Sequence, residues 1–125
     1  TMEFGTTALG SKLVVVLGHD KCGAVDAALK RPENLPGHIV SLVNSIKQVS
    51  REIRDKPGDP LENAIRQNVI NQVEELRDLE PILGRQYAQG KVLVVGAVYH
   101  LDTGRVEFLP ETLVGLPVPE GKRAK

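Results

Sequence analysis

The sequence predicts an α/β fold: a mostly parallel sheet flanked by helices, with one antiparallel strand at its C-terminal edge. Three observations predict it. Two aliphatic runs, Leu13-Val14-Val15-Val16-Leu17 and Val92-Leu93-Val94-Val95, carry no polar alternation, the pattern of strands buried on both faces of a parallel sheet. Amphipathic helical patterns fill the chain between them. After the second run, the turn signal Leu101-Asp102-Thr103-Gly104 leads into Val106-Glu107-Phe108-Leu109, a short returning strand.

Taken in order, residues 1–9 read as the end of a short helix, with Met2, Ala8 and Leu9 facing a core and Gly10 as its stop. The first strand follows from Lys12 to Leu17 and ends at Gly18. The segment His19-Asp20-Lys21-Cys22-Gly23 turns the chain, a helix starts over Ala24 to Leu29, and Pro32 and Pro36 mark a loop. Ile39, Leu42, Val43, Ile46, Val49 and Ile53 recur at helical spacing, with Lys47, Arg51 and Arg54 mostly opposite. Lys56-Pro57-Gly58-Asp59-Pro60 breaks the pattern. A second amphipathic helix carries Leu61, Ile65, Val69, Val73 and Leu76, with Asp59 as N-cap and Pro60 at the first helical position. A short helical piece is expected after Pro81, ending near Gly90. From Pro110 the chain has three prolines and a basic end, and residues 110–125 are expected as an extended tail. No repeat or linker divides the 125 residues, so one domain is expected.

Aromatic residues make up only 3%, so aliphatic side chains must build the core. Acidic and basic residues balance at 16 each, which gives no electrostatic reason to expect nucleic acid or a membrane surface as partner. The apolar runs have the length of strands, far short of the ~20 residues that span a bilayer. Glu3 and small polar residues stand where the apolar part of a secretory signal would be. Cys22 is the single cysteine, which rules out an intrachain disulfide and leads to the expectation of a reducing, cytoplasmic compartment.

Gly18-His19-Asp20-Lys21-Cys22-Gly23 is the segment with chemistry in it. It lies at the carboxyl end of a strand and opens a helix, where open α/β sheets place ligand sites. His19 and Cys22 are three apart, so both can aim at one point across a tight turn, and imidazole nitrogen and thiolate sulfur are donors zinc prefers. Near a helix N-terminus the Cys22 thiolate is favoured by unpaired N–H groups. Gly18 and Gly23 are read as letting the backbone turn sharply and approach a bound group. On spacing alone the pair is a common chance pattern: a lone cysteine is more often a small core residue, and a lone histidine in such a loop is more often just hydrogen-bonded. His38, before a helix, is read as solvated or capping, and His100, after a strand, as a surface residue. Arg51, Glu52, Arg54, Asp55 and Lys56 read as a solvated helix end, and Glu74, Glu75, Arg77 and Asp78 as a helix's outer face.

The surrounding residues add a resemblance. Glu3-Phe4-Gly5, Ala8-Leu9-Gly10, Leu13 to Gly18 followed by His19-x-x-Cys22-Gly23-Ala24-Val25, and Ala27-Ala28 are similar to the signature of β-class carbonic anhydrases. Asn68-Val69 with Val73 and Leu76 resembles that family's late helix. Gly96-Ala97-Val98-Tyr99 and Leu101-Asp102-Thr103-Gly104-Arg105-Val106 resemble its final strand pair, so the likeness runs over residues 2–109. It implies a zinc lyase that reversibly hydrates carbon dioxide to bicarbonate, built as a homodimer or larger homo-oligomer. It also implies zinc held by two cysteines and one histidine, with His19 and Cys22 matching the histidine and the second cysteine and Gly23 behind the metal. The family's first cysteine, in a Cys-x-Asp-x-Arg motif with the aspartate–arginine dyad, has no match here.

Three arrangements follow. The chain is a fragment of an enzyme, or a truncated relative that associates without catalysis, or it completes its site with other groups, Asp20 being the nearest candidate. An anion module on the helix N-terminus after Cys22 is a third class of reading. The expectation for the chain by itself is weak zinc binding, weak or absent hydration activity, and a first strand left as an exposed apolar edge.

Overall fold

The computed structural model describes residues 1–30, 35–46 and 48–118. A three-stranded sheet, ordered β1-β2-β3, organises them. Strand β1 (Leu13–His19) runs parallel to β2 (Leu93–Tyr99), in register from Leu13 opposite Leu93 to His19 opposite Tyr99. Strand β3 (Val106–Phe108) returns antiparallel, with Ala97 opposite Phe108 and Tyr99 opposite Val106. Between β1 and β2 lie helices α2 (Gly23–Lys30), α3 (Ile39–Ile46), α4 (Val49–Glu52), α5 (Pro60–Arg77) and α6 (Leu83–Ala88); α1 (Met2–Thr7) precedes the sheet. The α/β class and the antiparallel C-terminal strand thus stand as the sequence predicts.

Helix α5 starts as its sequence dictates. The Asp59 carboxylate accepts from the Glu62 N–H at 3.0 Å, and Pro60, which lacks an N–H, occupies the first helical position. Its buried stripe of Ile65, Val69 and Val73 lies on one face of the sheet. Two sheet glycines set how closely: a Cβ at Gly96 would stand 2.6 Å from a Val69 methyl, and one at Gly18 2.7 Å from the other. Around this contact the core is aliphatic throughout, with Val25 and Ala28 of α2, Val43 and Ile46 of α3, Val49 and Ile53 joining Val94, Val98 and Leu109.

Several expectations are corrected. β1 is not buried on both faces. Its burial alternates, and Leu13 and Leu17 are each 53% exposed; among the described residues β2 is also the only strand paired with it. Pleating puts these residues on the face away from α5, with Val106 and Phe108 of β3, which are also exposed. The exposed apolar edge is therefore present. Met2, Ala8 and Leu9 are exposed too, and Thr6 is the buried residue of α1. Gly10 does stop that segment, with φ +70°. Ile39 and Leu42 of α3 are exposed, while Val43 and Ile46 face the core. Lys47 and Pro32 lie outside the described residues.

The chain from Pro110 is not simply extended. Pro110–Thr112 forms a 3-10 turn, and Thr112 is buried, its Oγ1 accepting from the Gly96 N–H and donating to the Leu109 carbonyl, both at 2.9 Å. Residues 119–125 of the expected tail lie outside the described residues. Arg77 is not on an outer face either. Half-buried, it donates to the Val94 and Thr112 carbonyls and stacks 4.7 Å from the Tyr87 ring centre.

Candidate metal centre

β1 ends at His19, and its backbone keeps pairing one residue further, since the Asp20 N–H donates to the Tyr99 carbonyl at 3.1 Å. Lys21 then takes φ +55°, left-handed backbone that side chains with a Cβ disfavour. Cys22 follows, its carbonyl accepting from the Asp26 N–H at 3.0 Å as the first turn of α2 forms. Lys21 thus makes the sharp turn expected of Gly18 and Gly23. Gly18 serves packing against Val69, and Gly23 has no atom within 4 Å of an added Cβ.

His19 is exposed, and its Nδ1 lies 2.9 Å from the Asp20 carbonyl oxygen. A carbonyl only accepts, so Nδ1 carries the hydrogen and the Nε2 lone pair is left available for a metal. Cys22 is a free, half-buried thiol packed partly against the core. Both donors suit zinc in type. Among the described residues, however, no group of three or more histidine, cysteine, aspartate or glutamate side chains is arranged to hold a metal. Asp20, the nearest candidate for a third donor, is engaged elsewhere: its Oδ2 lies 3.0 Å from His100 Nδ1.

His100 corrects another expectation. It is half-buried rather than a surface residue, and its Nε2 lies 3.1 Å from Glu107 Oε1. Glu107 Oε2 accepts from Arg66 of α5 at 2.8 Å, and Arg66 reaches Glu111 at 4.0 Å. With a carboxylate at each ring nitrogen, the protonated ring can donate from both, and the arrangement favours that form. Glu107 and then Asp20 raise its pKa above the ordinary 6.5. Arg66, and then His100, hold the Glu107 carboxyl below its ordinary 4.5. The sequence does contain a signal for this pairing: aligning the two aliphatic runs offsets the strands by 80 residues, which sets position 20 beside position 100. His38 is exposed ahead of α3, where its carbonyl accepts from Ser41 N–H at 3.1 Å.

The family model "Carbonic anhydrase" matches residues 1–106. The chain belongs to the carbonic anhydrase family. A carbonic anhydrase of Mycolicibacterium smegmatis is 34% identical over 114 residues, which cover 86% of this chain and 54% of that protein. The chain spans about half the length of the curated relatives it matches. Among solved structures, the β-carbonic anhydrase CcaA superposes with TM-score 0.75 at 24% identity, over 97% of this chain and 57% of its own. One of two tetrameric β-carbonic anhydrases from Sordaria macrospora gives TM-score 0.69 at 23% identity, over 87% and 57%. The fold is therefore that of the β class. No helix among the described residues is long and apolar enough to cross a membrane.

Proposed function

We propose that the chain carries part of a zinc site for the reversible hydration of carbon dioxide to bicarbonate, with His19 and Cys22 as two of the metal's ligands. The observation that carries this reading is the His19 ring, whose Nδ1–H is held by the Asp20 carbonyl so that Nε2 is left to ligate, beside a free Cys22 at the start of α2. Family membership supports the reaction class. Zinc, when bound, lowers the pKa of a coordinated water toward neutrality and so supplies a hydroxide nucleophile. His19 and Cys22 hold and orient the ion, and Gly23 keeps the space at the start of α2 open. Further protein donors must come from outside this pair, because Cys22 is the chain's single thiol and Asp20 is committed to His100. By itself the 125-residue chain therefore binds zinc weakly and hydrates carbon dioxide poorly or not at all.

The single cysteine also favours a second reading, a subunit that associates without catalysis. Homo-oligomers, dimers or larger, are part of both readings. They are supported by the apolar face of Leu13, Val15, Leu17, Val106 and Phe108, and a monodisperse monomer in light scattering at micromolar concentration would remove them. Zinc stoichiometry by elemental analysis, taken with intact mass, separates the two functions. Near one zinc per chain supports the metal site and makes hydration assays worthwhile. Essentially none at the mass of these residues supports the non-catalytic subunit. The expected location, the cytoplasm, rests on the lone cysteine and is checked by fractionation.

A further inference from the structure

A tight turn with a left-handed lysine needs something to hold its shape. The answer lies in Asp20, which is tied at three points. Its N–H donates to the Tyr99 carbonyl, its own carbonyl accepts from the His19 ring, and its carboxylate accepts from His100. The first tie merely continues the sheet ladder. The third is different, because it fastens a loop to a side chain that is itself braced. The His100 backbone N–H donates to Arg105 O and its carbonyl accepts from Gly104 N–H, both at 2.8 Å. Its second ring nitrogen meets Glu107, which Arg66 clamps from α5. A charged chain of contacts thus runs from α5 through β3 to the β1–α2 turn.

We propose that His100 is a positioning residue for the His19–Cys22 turn: by holding the Asp20 carboxylate against the β2–β3 hairpin, it fixes the Asp20 carbonyl that keeps the His19 ring hydrogen on Nδ1. It touches neither donor, and its relevance to metal binding rests on His19 being a ligand. Losing His100 removes the only side-chain partner that Asp20 has among the described residues. Asp20 is then held through its backbone alone, next to a Lys21 conformation that its surroundings must sustain. Histidine suits the post because it can donate from both ring nitrogens at once, spanning two carboxylates that would otherwise repel.

The test reads the His19 tautomer directly, by long-range 1H–15N correlation on the 15N-labelled, metal-free chain near neutral pH. The native chain should show His19 in the Nδ1–H form. His100→Ala should move it toward the Nε2–H form that a free imidazole favours, and shift the Lys21 and Cys22 amides. Asp20→Ala should do the same, and the double variant should add nothing further. His100→Gln, which keeps a donor to one carboxylate, should fall between, and it carries the test should His100→Ala fail to fold. A native His19 already in the Nε2–H form overturns the proposal. So does a folded variant with an unchanged His19 tautomer and unmoved Lys21 and Cys22 amides. Zinc titration against a chelator serves as a separate arm, where loss of such an outer partner should weaken binding about ten-fold or more. A native chain without zinc affinity, yet with the tautomer shift, removes the metal reading and leaves the positioning role standing.

Discussion

Gly96→Ala is the sharpest probe of how α5 seats on the sheet. The added Cβ would stand 2.6 Å from Val69 Cγ1, 3.2 Å from Thr112 Cγ2 and 3.3 Å from Val73 Cγ2. Carbon atoms rest at about 3.5–4.0 Å, so the Val69 contact must open by roughly 1 Å in the middle of a packed core. Overpacking of this kind costs about 1–3 kcal/mol, and three crowded contacts place this case near 3. Val69→Ala removes the nearest methyl and, as a two-methyl deletion, costs about 2 kcal/mol by itself. If Val69 is what excludes the Cβ, the double variant falls near 2–3 kcal/mol instead of the sum near 5, its remainder set by Thr112 and Val73. The assay is urea unfolding followed by far-ultraviolet circular dichroism. At a slope of about 1.5 kcal/mol/M, Gly96→Ala alone lowers the midpoint by about 2 M. Additivity of the two losses within about 0.5 kcal/mol would refute the reasoning. Gly23→Ala is the control, since its Cβ meets nothing within 4 Å and stability should change by less than about 0.5 kcal/mol.

Thr112→Val should cost about 1–3 kcal/mol and lower Tm by several degrees, because it strands the buried Gly96 N–H, whereas Thr112→Ser should recover most of the loss. Arg77→Met should destabilise by about 2 kcal/mol in the same assay, since the Val94 and Thr112 carbonyls lose their shared donor. His100 has a raised pKa, so its contribution is complete below the ordinary 6.5 and is lost as pH rises through the raised value. Glu107 has a lowered pKa, so its contribution is complete above the ordinary 4.5 and is lost as pH falls through the lowered one. The stability gap between native and His100→Gln chains should therefore be widest between about pH 4.5 and 6.5 in a pH series of urea melts, and a gap that is flat with pH would refute the pairing.

The strands, the N-cap at Asp59 and the hairpin were legible because each is written in contiguous residues, whether an aliphatic run, a capping pair or a turn tetrad. What escaped was long-range. Arg77 sits in a charged run that looks solvated, yet α5 carries it beside two carbonyls from β2 and the 3-10 turn. His100 and Asp20 are 80 residues apart, and only the register of two parallel strands makes them neighbours. The double burial expected of β1 failed for a different reason: an unbroken aliphatic run does not say which faces are covered, and Leu13, Val15 and Leu17 lie on the face away from α5, on a strand whose only partner among the described residues is β2. At the candidate site, donor type and spacing alone pointed to His19 and Cys22 only as a common chance pattern and the family resemblance gave them their expected role, while the left-handed backbone that shapes their turn, at Lys21, has no sequence signature.

β1 also keeps a record of its surroundings. Lys12 accepts from Leu93 and Asp20 donates to Tyr99, so the even-numbered residues of this strand turn their backbone groups toward β2 and Leu13, Val15 and Leu17 turn theirs outward. Amide hydrogen exchange will therefore read the strand as two interleaved channels. Val14, Val16 and Gly18 report the opening of the domain itself. The odd-numbered amides exchange freely until something lays a strand along that edge, and their slowing would reveal its arrival and its register one residue at a time.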